Sequence, residues 1–266
     1  MSRERSMSEQ DLLWEIRDGV GWITFNRPAA RNALTFAMYE RLAELCTEAS
    51  GNAAIRALVL TGAGEKAFAA GTDISQFRAF SGPEDALAYE ARLDRVLDAL
   101  ERCPKPTIAA ISGACTGGGA GIAAACDMRI AARNARFGFP VARTLGNCLS
   151  MANYARLAAL IGPALVTEIV FTARLMAAEE AKAVGLVSEL LDDQPALMAR
   201  AEALAKLVAG HAPLTLAATK EALRRLRPRL PEGQDKDLIL MCYMSQDFRE
   251  GMDAFLTKRT PLWRGE

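Results

Sequence analysis

Two short stretches carry backbone groups suited to a developing negative charge. KPTIAAISGACTGGGAGIAAACD (105–127) reads as a buried strand, a run of three glycines and the start of a helix. NH groups at such a junction have no intrahelical partner and sit at the positive end of the helix dipole, so they suit an anionic oxygen. The same small residues also suit close helix packing. The run is no nucleotide loop, because GK[ST] is missing and GGGAG lacks the GxGxxG spacing. EKAFAAGTDI (65–74) follows another apolar strand, where Gly71 fits a tight turn and Asp73 a helix N-cap. A third stretch, FGFPVARTLGNCLS (137–150), is loop-like and carries Arg143, Asn147, Cys148 and Ser150 without an acidic group.

The elements that position these loops follow from periodicity. Residues 12–17 and 20–25 are β-rich runs joined by Asp18-Gly19, a strong hairpin signal. A helix over 32–49 follows, with Leu34, Met38, Leu42 and Leu45 at helical spacing, then a buried strand over 55–61. The pattern repeats with a helix over 84–102, a break at Pro104 and Pro106, a strand over 107–112 and a small-residue helix over 118–126. Further on come a strand over 128–132, a helix over 150–160 and a last strand over 185–190. The chain then turns helical, over 195–208, 214–226 and 235–256. The fold class is α/β. The polar first ten residues are left out of this reading. No linker, low-complexity segment or sequence repeat separates the parts, so one domain with a helical extension is expected.

Composition bounds the partners. The 266 residues are 51% apolar and hold 32 basic and 32 acidic side chains, so no global field favours nucleic acid or an anionic membrane. An anionic ligand must be gripped locally. No apolar stretch reaches spanning length. Six scattered cysteines, Cys46, Cys103, Cys115, Cys126, Cys148 and Cys242, read as reduced thiols of a cytoplasmic protein. No cluster has metal-ligand spacing, so no metal is expected. The lone His211, between two predicted helices, reads as a cap or interface residue.

Taken together and in order, the stretches resemble the crotonase (enoyl-CoA hydratase/isomerase) superfamily. The resemblance runs through ITFNRPAARNAL (23–34), ALVLTGAGEKAFAAGTDI (57–74), KPTIAAISGACTGGG (105–119), CDMRIAARNARFGFP (126–140), AKAVGLVSEL (181–190) and EGMDAFLTKRTPLW (250–263). It implies a crotonase-like ββα superhelical core with its acyl-CoA site in 11–195. A helical C-terminal region, 196–266, would complete that site and form a homotrimer or hexamer. It also implies a coenzyme A thioester as substrate, with coenzyme A as part of that substrate and no separate cofactor. The family's oxyanion hole falls on the backbone NH groups of Thr72 and Gly118, and the β-branch of Thr72 would narrow the pocket. Coenzyme A would run along Ala30, Arg31 and Ala70, with Asp73 and Ile74 beside the channel. A neighbouring subunit would add Phe255 and Lys258.

The resemblance breaks where hydratases of the family keep two glutamates. One position falls on Gly121; the other falls on Val141, or on Ala142 if the alignment is anchored by Leu145-Gly146. Hydration of an enoyl double bond needs one group to take a proton from water and another to deliver one to the α-carbon. A two-glutamate hydratase is therefore not expected. Isomerisation, decarboxylation, dehydration and thioester hydrolysis all pass through an enolate or oxyanion and remain open, as does a noncatalytic acyl-CoA-binding protein. The residues able to substitute are Asp73 as a base, Arg143 as a partner for a substrate carboxylate, and Asn147 and Ser150 as groups orienting water or a second carbonyl. Each has a structural alternative: Asp73 and Ser150 as helix caps, Arg143 in an interface ion pair, Asn147 in a turn.

Overall fold

The structure is a computed structural model that describes residues 10–227 and 234–266. β1 (Leu12–Arg17) and β2 (Val20–Phe25) form the expected hairpin, with Asp18 and Gly19 both at positive φ. α1 (Phe36–Gly51) leads from β2 to β3 (Ala57–Gly62). It starts four residues later than periodicity predicts, because Arg31 and Asn32 are left-handed and Thr35 caps the helix by accepting from Met38 N. Asn32 instead spends its side chain in the core, donating to the Ala63 and Ala67 carbonyls.

Three ββα units follow. β3, β4 (Ala67–Ala69) and α2 (Pro83–Arg102) make the first; β5 (Thr107–Ile111), β6 (Ala114–Thr116) and α3 (Gly118–Ala125) the second. β7 (Met128–Ala132), β8 (Arg136–Gly138) and the short α4 (Val141–Thr144) make the third. The chain continues through α5 (Met151–Ile161), α6 (Pro163–Phe171), β9 (Met176–Ala177), α7 (Ala178–Ala183) and β10 (Glu189–Leu191). In each unit the first strand enters one sheet and the second another. The larger sheet runs β1-β2-β3-β5-β7-β10, parallel from β2 onward; the smaller runs β4-β6-β8-β9. The unit repeats in structure although its sequence does not.

Strand alternation divides the larger sheet's side chains between two cores. Val20, Trp22, Ala57, Val59, Ile108, Ala110, Ile130 and Ala132 pack with Leu197, Ala201, Leu204 and Ala205 of α8 (Gln194–Ala209). Their neighbours Ile23, Phe25, Leu58, Leu60, Ala109 and Ile111 pack with α1, α2 and α3. The first helix of the C-terminal third is thus a layer of the core. Beyond it, α9 (Pro213–Leu226) has no buried residue among the described residues. The helix expected over 235–256 is two, α10 (Lys236–Tyr243) and α11 (Gln246–Thr257), because Ser245 accepts from Phe248 N and starts a new helix. Both lie over the first half of the chain, with Ile239, Tyr243 and Phe248 buried beside Phe77 and Tyr89. Among the described residues, no single helix is long and apolar enough to cross a membrane.

Candidate active site

A cavity of about 550 Å³ opens where β4, β6 and β8 end. The loop after β4 supplies Ala70 to Ile74, the glycine turn after β6 supplies Gly117 and Gly118, and the turn after β8 supplies Phe139, Pro140 and Val141. One position of each ββα unit thus contributes to one wall.

The glycines are set by how closely these loops approach. Gly71 and Gly117 both have positive φ, and a Cβ on Gly117 would stand 3.5 Å from Gly71 Cα. A Cβ on Gly118 would fall 1.9 Å from the Tyr39 hydroxyl oxygen. Leu34 bonds both sides of Thr72, donating to the Gly71 carbonyl and accepting from Asp73 N, and leaves Thr72 N free. Gly118 N is the first amide of α3 and has no carbonyl behind it. Among the described residues neither amide donates to a protein group. The Thr72 hydroxyl shares hydrogen bonds with Tyr39 (2.9 Å) and Tyr89 (2.7 Å), so its branch is tied into a chain of hydroxyls. Burial pushes both tyrosine pKa values up, so the chain is neutral.

Two carboxyl groups line the cavity, in contrasting states. Asp73 caps the short 3-10 turn Ile74–Ala79 by accepting from Ser75 N and lies 3.0 Å from Arg27 Nη1. Its partial burial favours the neutral acid, but hydrogen bonds from Ser75 and Arg27 outweigh this and hold the carboxyl below its ordinary value. Glu90, on α2, is 3% exposed and was not singled out from sequence. Burial pushes it up to about 8, against the lowering effect of the Tyr243 hydroxyl, which donates to Oε1 at 2.5 Å. Its Oε2 is buried without a hydrogen-bond partner among the described residues. Asn147 Nδ2 donates to the same tyrosine oxygen at 3.1 Å, and Asn147 Oδ1 is likewise buried and unpartnered.

A signal for Glu90 existed. Ala86, Tyr89, Leu93, Val96, Leu97 and Leu100 form the buried stripe of α2, and Glu90 falls inside it. An acid at a core position of an amphipathic helix is costly unless it has a task.

The remaining expected residues divide. Ala30, Arg31, Ala70, Ile74, Gly121, Val141 and Asn147 line the cavity. Arg143 does not: α4 turns its side chain to solvent, and it is no partner for a carboxylate inside the cavity. Ser150 is fully buried outside the lining, donating to Asp94 Oδ1 at 2.7 Å and capping α5 through Asn153 N, so it orients no water there. Phe255 lines the cavity of its own chain. Lys258 ends the same helix in the left-handed conformation and is exposed outside the lining.

Residues 15–266 match the family model described as enoyl-CoA hydratase/isomerase. The chain is 32% identical over 256 residues to a short-chain-enoyl-CoA hydratase of Clostridium acetobutylicum, covering 95% of this chain and 97% of that one. The solved enoyl-CoA hydratase/carnithine racemase of Magnetospirillum magneticum is 34% identical, with a TM-score of 0.78 and 96% of both chains covered. A methylmalonyl-CoA decarboxylase, solved with 2-nitronate-propionyl-CoA, is 29% identical with a TM-score of 0.86, over 97% of this chain and 99% of that one. With the ββα units, the converging glycine loops and a family match that takes in nearly every described residue, the chain belongs to the enoyl-CoA hydratase/isomerase family.

Proposed function

We propose that this protein is an enzyme acting on an acyl-CoA thioester, with the thioester oxygen held by Thr72 N and Gly118 N. The observation that carries the reading is the pair of partnerless amides on the cavity wall. Preorganised NH donors oppose the charge of an enolate or tetrahedral anion without reorganising, and each is worth about a hundredfold or more in rate. The names of the relatives above support a CoA thioester as the ligand. Phe255 at the cavity offers an aromatic face for the adenine, and the exposed Arg31 and Lys258 offer charge for the phosphates.

The reaction is enolate chemistry at the α-carbon, of the isomerase type, and not two-glutamate hydration. Gly121 and Val141 line the cavity; by the resemblance the hydratase glutamates fall on Gly121 and on Val141 or Ala142, none of which supplies a proton-transfer group. Decarboxylation is disfavoured too. Among the described lining residues Arg31 alone is basic, and it is exposed, so the interior has no cation for a substrate carboxylate. The protein acts as a homotrimer or hexamer, a reading supported by α9, whose Leu214, Leu223 and Leu226 stay exposed among the described residues of one chain.

The test is a panel of acyl-CoA thioesters read by mass spectrometry and NMR, with crotonyl-CoA followed by its ultraviolet absorbance. Slow or no hydration of crotonyl-CoA is expected, with an isomer shift on another enoyl-CoA. Hydration at a turnover typical of hydratases would overturn the reaction assigned. Gly121 and Val141 also favour a noncatalytic acyl-CoA binder, and tight binding across the panel with neither mass change nor isomer shift would establish that instead.

A further inference from the structure

We propose that Glu90 is the proton-transfer group of this site, oriented by Tyr243, whose hydroxyl is in turn directed by Asn147. The inference rests on the acyl-CoA reading above and names the group that reading lacks.

The hydrogen-bond directions fix where the proton sits. Asn147 Nδ2 can only donate, so the Tyr243 oxygen accepts from it and turns its own hydrogen to Glu90 Oε1. With Oε1 occupied as an acceptor, the acidic proton of neutral Glu90 belongs on Oε2, the oxygen that no protein group holds. The side chain stands on the cavity wall, and its field contributes to raising the Tyr39 and Tyr89 hydroxyls that flank Thr72. Asp73, the other acid there, is held ionised by Arg27 and Ser75 and is committed to capping.

A buried acid with an unfilled oxygen is expensive: the Tyr243 bond satisfies Oε1 alone, and an apolar residue would continue the stripe of α2. Proton transfer gives that oxygen a use. In its ionised form Glu90 takes a proton from the α-carbon of the bound thioester. The C–H electrons become the carbon–carbon double bond of the enolate, whose oxygen carries the charge against Thr72 N and Gly118 N. The proton, now on Oε2, passes to the γ-carbon of an enoyl ester, giving double-bond migration, or swaps with a solvent deuteron that is then delivered to the α-carbon, giving exchange. No water, oxidant or second substrate is consumed.

The groups facing Glu90 set its pH dependence. Asp94 on the same helix and Asp235 at the start of α10 both oppose its ionisation, Tyr243 favours it, and Tyr39, Tyr89 and Cys148 lie within range of its charge. Exchange should therefore rise with pH, pass half its maximum near pH 8 and level off above that.

The experiment follows loss of the α-protons of butyryl-CoA in D2O by NMR, with affinity measured by calorimetry. Wild type should exchange them. E90Q, nearly isosteric, should exchange at least a hundredfold more slowly while binding butyryl-CoA within about threefold of wild type. Y243F removes the bond that favours the carboxylate, so it should keep exchange but move the profile to higher pH, a shift that a purely structural tyrosine would not produce. Exchange by E90Q at the wild-type rate, or binding without exchange by wild type, would overturn the assignment of Glu90. Failure of wild type to bind butyryl-CoA at all would instead strike the acyl-CoA reading.

Discussion

At the scale of single residues, Thr72 separates backbone from side chain as a source of function. Its amide is free for a ligand, whereas its hydroxyl partners two buried tyrosines. Thr72→Val keeps the amide but strips the partner from both hydroxyls, so it should cost about 1–3 kcal/mol of stability and leave turnover within tenfold. Thr72→Pro loses the same hydroxyl and, in addition, an NH that no described protein group accepts, and should lower turnover by roughly a hundredfold or more below Thr72→Val. Denaturant unfolding and steady-state rates on the two variants check this, and equal rates would remove Thr72 N from the oxyanion site. Glycine spacing marked the two loops in the sequence, and the resemblance implied the amides of Thr72 and Gly118 within them. Side-chain roles were less so. Arg143 and Ser150 have the right chemistry, but the direction of each is set by where α4 ends and α5 begins. Glu90 lies 153 residues before Tyr243 in the chain, and only the folded C-terminal helices bring the two together.

At the scale of elements, most strands and helices were predictable from periodicity, and the errors have physical causes. The early start given to α1 overlooked that Arg31 and Asn32 adopt positive φ, and the merged C-terminal helix overlooked Ser245 as a cap. The smaller sheet escaped notice because its strands are two or three residues long, too short to show a period. α9 carries the clearest element-level prediction. Leu214, Leu223 and Leu226 are 83%, 61% and 79% exposed in the single chain, although the helix pattern is amphipathic. An exposed apolar stripe of this kind marks a contact surface, and the proposed assembly would cover it with another copy. Leu214→Glu combined with Leu226→Glu should therefore yield a folded monomer at micromolar concentration, where wild type should sediment as the proposed trimer or hexamer. Surface changes of this kind cost the isolated fold little, about 0.5 kcal/mol each. A double variant that sediments like wild type would place the assembly surface elsewhere.

For the molecule as a whole, the buried acid links the site to global stability. Glu90 is raised by burial to about 8 from an ordinary 4.5, so the folded chain holds its proton after the unfolded chain has released it. Between those values the unfolded state binds fewer protons, and linkage makes stability fall as pH rises; above the folded value the loss is complete. Asp94 is raised by burial as well and acts in the same direction, whereas Glu101 is held low by hydrogen bonds from Arg156 and Arg227 despite its burial and acts oppositely, losing its contribution as pH falls. Wild type alone would mix these effects, but E90Q isolates one of them. At pH 5, where Glu90 is neutral in the fold, E90Q and wild type should unfold at nearly the same temperature. By pH 8.5 the variant should be more stable by a few kcal/mol at most, a gap of several degrees in Tm. A gap that stays constant from pH 5 to 8.5 would mean that Glu90 titrates alike in both states, and that its burial carries no ionisation cost. A gap that opens over this window would show the whole fold bearing the cost of keeping a neutral carboxylic acid beside the cavity.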